Sequence, residues 1–207
     1  MNTIVDFFLE PYQQVAGINI FLEFIAAVLG ITSVFYAKKE NILVYPTGII
    51  STGLYVYLLS QWALYGDLII NIYYTLMSLY GWYMWTRISN KTHKPLKITR
   101  TNYLDNIKAF AIFVFTAIFV IIAYRYYNVM PDLNFMDSIH YASQKISAGS
   151  LIEFRKATPY LDTFTTAAAF VAMWLMANKK IESWIFWIIT NIVSIPLYFV
   201  KGYGFTG

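Results

Sequence analysis

The chain has 207 residues, 58% of them apolar and only 13% charged, with a formal net charge of +4 and no cysteine. Soluble domains carry ~45–50% apolar residues and about twice this charge, so hydropathy assigns the chain to the bilayer class. The basic residues sit in short caps between apolar runs, which excludes a nucleic-acid surface, and the lack of thiols excludes disulfides, cysteine nucleophiles and thiolate metal sites.

In chain order, residues 1–17 form an outer N-terminal segment. Residues 1–12 contain Asp6 and Glu10 but no Lys or Arg, so they lack the basic start of a signal peptide and could form a short surface helix. A span needs roughly 20 mostly apolar residues. The pattern predicts six, at about 18–37, 42–60, 66–86, 108–127, 158–177 and 182–201. The first three make a three-helix unit over 18–86. A basic loop (87–107), a connector helix (108–127) and an outer loop (128–157) lead to a second, incomplete unit over 158–207.

The two units share a pattern. Leu22-Glu23, an apolar stretch and Lys38-Lys39-Glu40-Asn41 are matched by Leu161-Asp162, an apolar stretch and Lys179-Lys180-Ile181-Glu182-Ser183. Two such segments pointing the same way are a parallel internal repeat, a symmetry found in small-solute transporters. Loops after spans one, three and five hold ten Lys and Arg residues, against five on the other side. The positive-inside rule then places the N-terminus outside. An odd three-helix unit needs an odd connector if its second copy is to keep the same direction. The expected all-α architecture is therefore three plus one plus three, seven spans, of which the sequence supplies six; the partner of span three is expected to be absent.

Catalytic options are thin. His93 and His140 lie in loops without a nucleophile or metal-ligand partner, and neither G-x-x-x-x-G-K nor G-x-G-x-x-G occurs. No catalytic residue, metal site or cofactor is expected. Span six is more specific. Trp184, Trp187 and Asn191 recur at i, i+3 and i+7 on one helical face. At ~1.5 Å per residue, Asn191 lies about 13–15 Å from the cytoplasmic end. An Asn in hydrocarbon needs a partner or a cavity, and two indoles on its face offer stacking planes and cation–π attraction. The other reading makes Trp184 an interface anchor, packs Trp187 on lipid, and leaves Asn191 to bond a neighbouring helix.

Those residues also carry a resemblance. With Leu161-Asp162-Thr163, the run Tyr80-Gly81-Trp82-Tyr83-Met84-Trp85 and the run from Ile192 to Tyr198, they make the chain similar to the PnuC-type vitamin transporters, the bacterial nicotinamide riboside transporter family, from about residue 18 to its end. The resemblance implies a SWEET-like fold, a homotrimer in the bacterial cytoplasmic membrane, and facilitated diffusion of the vitamin, drawn inward by phosphorylation. It also implies that Trp184, Trp187 and Asn191 line the pocket. A pyridinium ring suits the indoles and a carboxamide suits Asn191. Thr47, Ser51, Thr52, Asn71, Tyr74, Thr163 and Thr166 could meet the ribose, or bond helix to helix. Ser51 and Thr52 stand where some relatives carry Asn. Glu23, Asp67 and Asp162, toward the outer ends, could attract a cation or gate, or be held by hydration and helix N-termini. Pro46 and Pro196 could be hinges or tolerated kinks. No Lys or Arg lies at mid-depth, which favours the nucleoside over its mononucleotide. The alternatives are a carrier of thiamine or another cationic-ring vitamin on the same fold, or an inactive truncated membrane protein.

Overall fold

The computed structural model describes residues 17–61, 65–87 and 97–201. The N-terminal segment before Gly17, His93 and the tail after Lys201 lie outside the described residues. Among the described residues the chain forms seven helices: α1 (Gly17–Lys38), α2 (Val44–Gln61), α3 (Tyr65–Thr86), α4 (Tyr103–Tyr126), α5 (Phe135–Ser147), α6 (Leu151–Ala177) and α7 (Ser183–Lys201). The six expected spans fall on α1, α2, α3, α4, α6 and α7. Three helices are long and apolar enough to cross a membrane on length and composition: α1, α4 and α6 from Ile152; α7 is a shorter apolar helix over Ser183–Leu197.

Three boundaries differ from the sequence expectation, each for a local reason. The connector begins five residues early, at Tyr103, because Asn102 and Asp105 close a capping box: each side chain accepts the other's backbone N–H, at 2.8 and 3.1 Å. The outer loop contains α5, capped by Asn134, whose side chain accepts the Asp137 N–H at 2.8 Å. Its apolar stripe of Phe135, Ile139, Ala142 and Ile146 is helical in period but far too short to span, so a membrane-length window passes over it. Helix α6 begins at Leu151, and Pro159 lies inside it. Proline removes the N–H that would meet the Arg155 carbonyl; the Thr158 hydroxyl donates to that carbonyl instead, at 2.8 Å.

The chain divides into two compact units, one taking 1–100 with 173–181 and the other 101–172 with 182–207. In the first, α2 packs against both α1 and α3. Small residues permit the approach: a Cβ on Gly30 would lie 3.2 Å from Ser51 Oγ, and one on Gly48 3.1 Å from Ser33 Oγ. Hydroxyls then reach across, Ser51 Oγ donating to the Ala26 carbonyl at 2.7 Å and Ser33 Oγ to the Val44 carbonyl at 2.8 Å. The Tyr45 ring meets Trp85 edge-on with centroids 5.3 Å apart. In the second unit, α4 and α6 meet through Phe113 and Phe164, with centroids 5.9 Å apart. Helix α5 meets α6 through Tyr141 and Tyr160 and through the Lys145–Glu153 ion pair; Glu153 also holds Lys156 at 2.6 Å.

Helices α1 and α6 end in the same way. In the first turn the Glu40 N–H donates to the Ala37 carbonyl and the Asn41 N–H to the Tyr36 carbonyl. In the second, the Lys179 N–H donates to Met176 and the Lys180 N–H to Leu175. Both are Schellman caps, with Glu40 (φ 53°) and Lys179 (φ 54°) in the left-handed position. The same register aligns Glu23 with Asp162, each seventeen residues before its left-handed residue, and Val44 with Ser183, the first residues of α2 and α7. It also aligns the buried positions of those two helices: Val44, Ser51 and Leu58 with Ser183, Thr190 and Leu197. The lysine pairs do not share the register. Lys38 is the last residue of α1 and Lys39 the first beyond it, whereas Lys179 and Lys180 both lie beyond α6.

Candidate functional site

Helix α7 starts from a fixed point. The Glu182 carbonyl accepts the Ile185 N–H at 3.0 Å, while its carboxylate accepts the Thr101 N–H, also at 3.0 Å. Ser183, Thr190 and Leu197 make its buried stripe. Trp184, Trp187 and Asn191 lie roughly 90° around the helix from that stripe. Both indoles are half-buried and Asn191 is exposed. This face is therefore the border between packed and open surface, with the Asn191 amide on its open side. In the shared register, Trp184, Trp187 and Asn191 align in sequence with Tyr45, Gly48 and Thr52.

The other candidates divide between the units, and most hydroxyls are bonded locally. Thr47 Oγ1 donates to the Leu43 carbonyl at 2.7 Å. Thr52 Oγ1 donates to the Gly48 carbonyl at 2.9 Å and accepts from Thr75 Oγ1 at 2.7 Å, a hydroxyl link between α2 and α3. Asn71 Nδ2 donates to the Asp67 carbonyl at 2.9 Å. The Tyr74 ring lies beside Tyr73, with centroids 6.1 Å apart. Thr163 Oγ1 donates to the Pro159 carbonyl at 2.8 Å, and Thr166 is buried beside it in sequence. Ser51, tied to Ala26, is a helix-to-helix contact. These bonds are the helix-bonding alternative that the sequence left open, although a threonine oxygen can still accept from a ligand while donating.

The acids are distinct. Glu23 is buried within α1. Asp162 is half-buried and accepts the Tyr124 hydroxyl at 2.6 Å, joining α4 to α6. Asp67 lies in the first turn of α3, where the helix dipole favours a carboxylate. At the cytoplasm-facing turns predicted from charge, Trp85 Nε1 donates to the Met176 carbonyl at 3.2 Å and Lys179 Nζ lies 4.6 Å over the Trp85 ring. Burial draws the Lys179 ammonium below the usual lysine range, with Glu40 pulling the other way. Lys180 Nζ reaches Thr99 Oγ1 at 3.2 Å, so the basic loop's described end is pinned to the second lysine pair. Sequence reasoning missed Tyr124 and Thr75 as partners of Asp162 and Thr52, and Thr190, whose buried hydroxyl has no hydrogen-bond partner. Tyr124 stands among Tyr126 and Tyr127 and reads as one more interfacial aromatic; only the fold selects it. Among the described residues no group of three or more His, Asp and Glu is placed to hold a metal ion.

Residues 20–207 match the family model described as nicotinamide mononucleotide transporter. The chain is 24% identical over 184 residues to the nicotinamide riboside transporter PnuC of Escherichia coli strain K12, covering 87% of this chain and 75% of that protein. It is 29% identical over 177 residues to the PnuC of Neisseria mucosa, covering 85% of this chain and 59% of that protein. The riboflavin/roseoflavin transporter RibM of Streptomyces davaonensis is 23% identical over 131 residues, 63% of this chain and 50% of that protein. A crystal structure of the vitamin B3 transporter PnuC has the same fold, with a TM-score of 0.56, 24% identity and coverage of 95% of this chain and 74% of that one. With the match running from α1 to Gly207, the chain belongs to the nicotinamide mononucleotide transporter family, an all-helical family of membrane transporters.

Proposed function

We propose that this chain carries nicotinamide riboside inward across the bacterial cytoplasmic membrane by facilitated diffusion, with Trp184, Trp187 and Asn191 as its principal solute contacts. The observation that carries the reading is the α7 stripe: two half-buried indoles and an exposed amide on one face, in a chain whose curated relatives include PnuC riboside transporters. Indole faces attract a pyridinium cation and the amide complements a carboxamide. The family model is named for the mononucleotide, whose phosphate would call for a basic clamp. Lys and Arg in the described helices lie toward their ends: Lys38, Lys108, Arg125, Lys145, Arg155, Lys156 and Lys201. The riboside is therefore the better fit.

The architecture belongs to the same proposal: a SWEET-like parallel repeat, an outer N-terminus and a homotrimer. What supports the repeat is the common register of Glu23 and Asp162, the two Schellman caps and the buried stripes of α2 and α7. Glu23, Asp67 and Asp162 are assigned to cation attraction or gating, and Thr47, Ser51, Thr52, Asn71, Tyr74, Thr163 and Thr166 to the sugar side of the pocket.

The test is uptake of labelled nicotinamide riboside in a strain that lacks its own carrier and expresses the complete gene. Trp187→Ala and Asn191→Leu are each expected to reduce uptake to background while the protein still reaches the membrane. Normal uptake in both variants would sink the site assignment. Competition with unlabelled thiamine, riboflavin and the mononucleotide separates the substrate alternatives; only the riboside is expected to compete fully.

A further inference from the structure

A groove with no α7 residue in its lining lies in the unit that contains α4 and α5. Between the end of α4, the segment that follows it and α5, this groove has a volume of about 620 Å³, within the range of small-molecule sites. One wall is Ile121, Met130 and Leu133; the other is Phe135, Ile139 and Ile146, the apolar stripe of α5. That stripe is left open: Phe135 is 76% exposed and Ile139 51%. The groove continues the exposed apolar row of α4, including Phe115, Ile118 and Ile122, which faces hydrocarbon when α4 crosses a bilayer. Its polar end is Arg125, on the last turn of α4, together with Tyr160. Arg125 donates to the Leu133 carbonyl and pairs with Asp132 at 3.0 Å, yet its Nε is enclosed and has no hydrogen-bond partner. The Tyr160 hydroxyl is likewise enclosed.

An apolar trough with a cationic end, set where a spanning helix leaves the hydrocarbon, has the polarity of a phospholipid. Arg125 stands at headgroup depth, and exposed Tyr126 and Tyr127 beside it form an interfacial aromatic pair. The Arg125 side chain keeps about a third of its surface open (34%), so its guanidinium can take a further acceptor, and a phosphate oxygen is the strongest acceptor a membrane offers. Asp132 is 88% exposed, so solvent screens its hold on the guanidinium. We infer that this groove is a binding site for one anionic phospholipid, with an acyl chain against Ile121 and Ile139 and the phosphate turned to Arg125 and Tyr160. Basic pockets beside membrane helices recognise lipid headgroups in this way. Neither the α7 stripe nor the nature of the transported solute enters this inference.

The experiment is native mass spectrometry of the full chain released from detergent with phosphatidylglycerol or phosphatidylcholine. Selective retention of phosphatidylglycerol is expected, about fivefold weaker in Arg125→Gln, the effect of one cationic contact near the surface. Tyr160→Phe removes only a hydroxyl and should weaken retention in the same direction with an unchanged melting temperature. Ser143→Trp, which fills the groove, should abolish it. Equal retention of the two lipids, or undiminished retention in Ser143→Trp, overturns the inference. So does a photo-crosslinker at Ser143 that captures a second copy of the chain in place of lipid.

Discussion

Asn191 announced itself, because an amide deep in an apolar run has few explanations, and it lies on open surface beside two half-buried indoles. Gly81 did not. Within Tyr80-Gly81-Trp82 it reads as a helix-weakening residue, yet a Cβ there would sit 2.3 Å from the Tyr45 ring. The contact joins residues on different helices, which periodicity cannot reveal. Gly81→Ala must displace that ring from its edge contact with Trp85, so we expect a loss of about 1–3 kcal/mol, read as a lower melting temperature in detergent. Tyr45→Phe tests the cause. The Tyr45 hydroxyl is buried without a partner, so its removal should be neutral or stabilising by about 1 kcal/mol. Destabilisation by Tyr45→Phe would mean that the hydroxyl has an acceptor. At Asp162, Tyr124→Phe removes a hydroxyl that donates to that carboxylate and should alter riboside uptake if the acid attracts cations or gates; unchanged uptake would leave the pair a helix-to-helix tie.

At the scale of elements, hydropathy located a helix at each of the six expected spans, three of them long and apolar enough to cross a membrane, and it passed over α5 because a 13-residue amphipathic helix has the opposite signature. Boundaries moved where caps act: Asn102 and Asp105 pulled α4 forward, and Thr158 let α6 run through Pro159. The helix ends carry a further lesson. The lysine pairs suggested the repeat, but backbone bonding places them out of register; the acids and the left-handed turn residues keep it. Left-handed backbone costs a non-glycine residue roughly 1–2 kcal/mol, while glycine costs about 0.5–1 kcal/mol in unfolded-chain entropy. Glu40→Gly is therefore expected to stabilise the first turn by on the order of 0.5 kcal/mol. Lys179→Gly gains the same backbone relief but loses the ammonium over Trp85, a contact of about 0.5–1 kcal/mol at a partly exposed site, so it should be neutral or worse. Parallel thermal melts check the pair; equal shifts would mean that the Lys179–Trp85 contact contributes nothing.

For the whole molecule, charge asymmetry is the information that survives from sequence to membrane. The backbone can place α1 beside α2 through Gly30, Ser33, Gly48 and Ser51, but no contact within a helix bundle says which end faces the cytoplasm. That direction comes from Lys and Arg, which resist translocation. Lys38, Lys39, Lys179 and Lys180 share the predicted inner side, with Lys97 and Arg100 of the basic loop; Gln61 and Gln144 fall on the other. The chain contains no cysteine, so each labelling site can be introduced into an otherwise silent background. Gln61→Cys and Gln144→Cys are both exposed on one predicted side, and Lys39→Cys and Lys97→Cys on the other. With a membrane-impermeant maleimide applied to intact cells or spheroplasts, the first pair should label at once and the second pair only after permeabilisation. A reversed pattern for all four would invert the orientation and leave the helices untouched. Labelling of Gln61→Cys from one side and Gln144→Cys from the other would instead require an odd number of crossings between them, in place of the two expected. That result would remove the parallel direction on which the repeat depends, because α1 and α6 run the same way only if α3 and α4 each cross once.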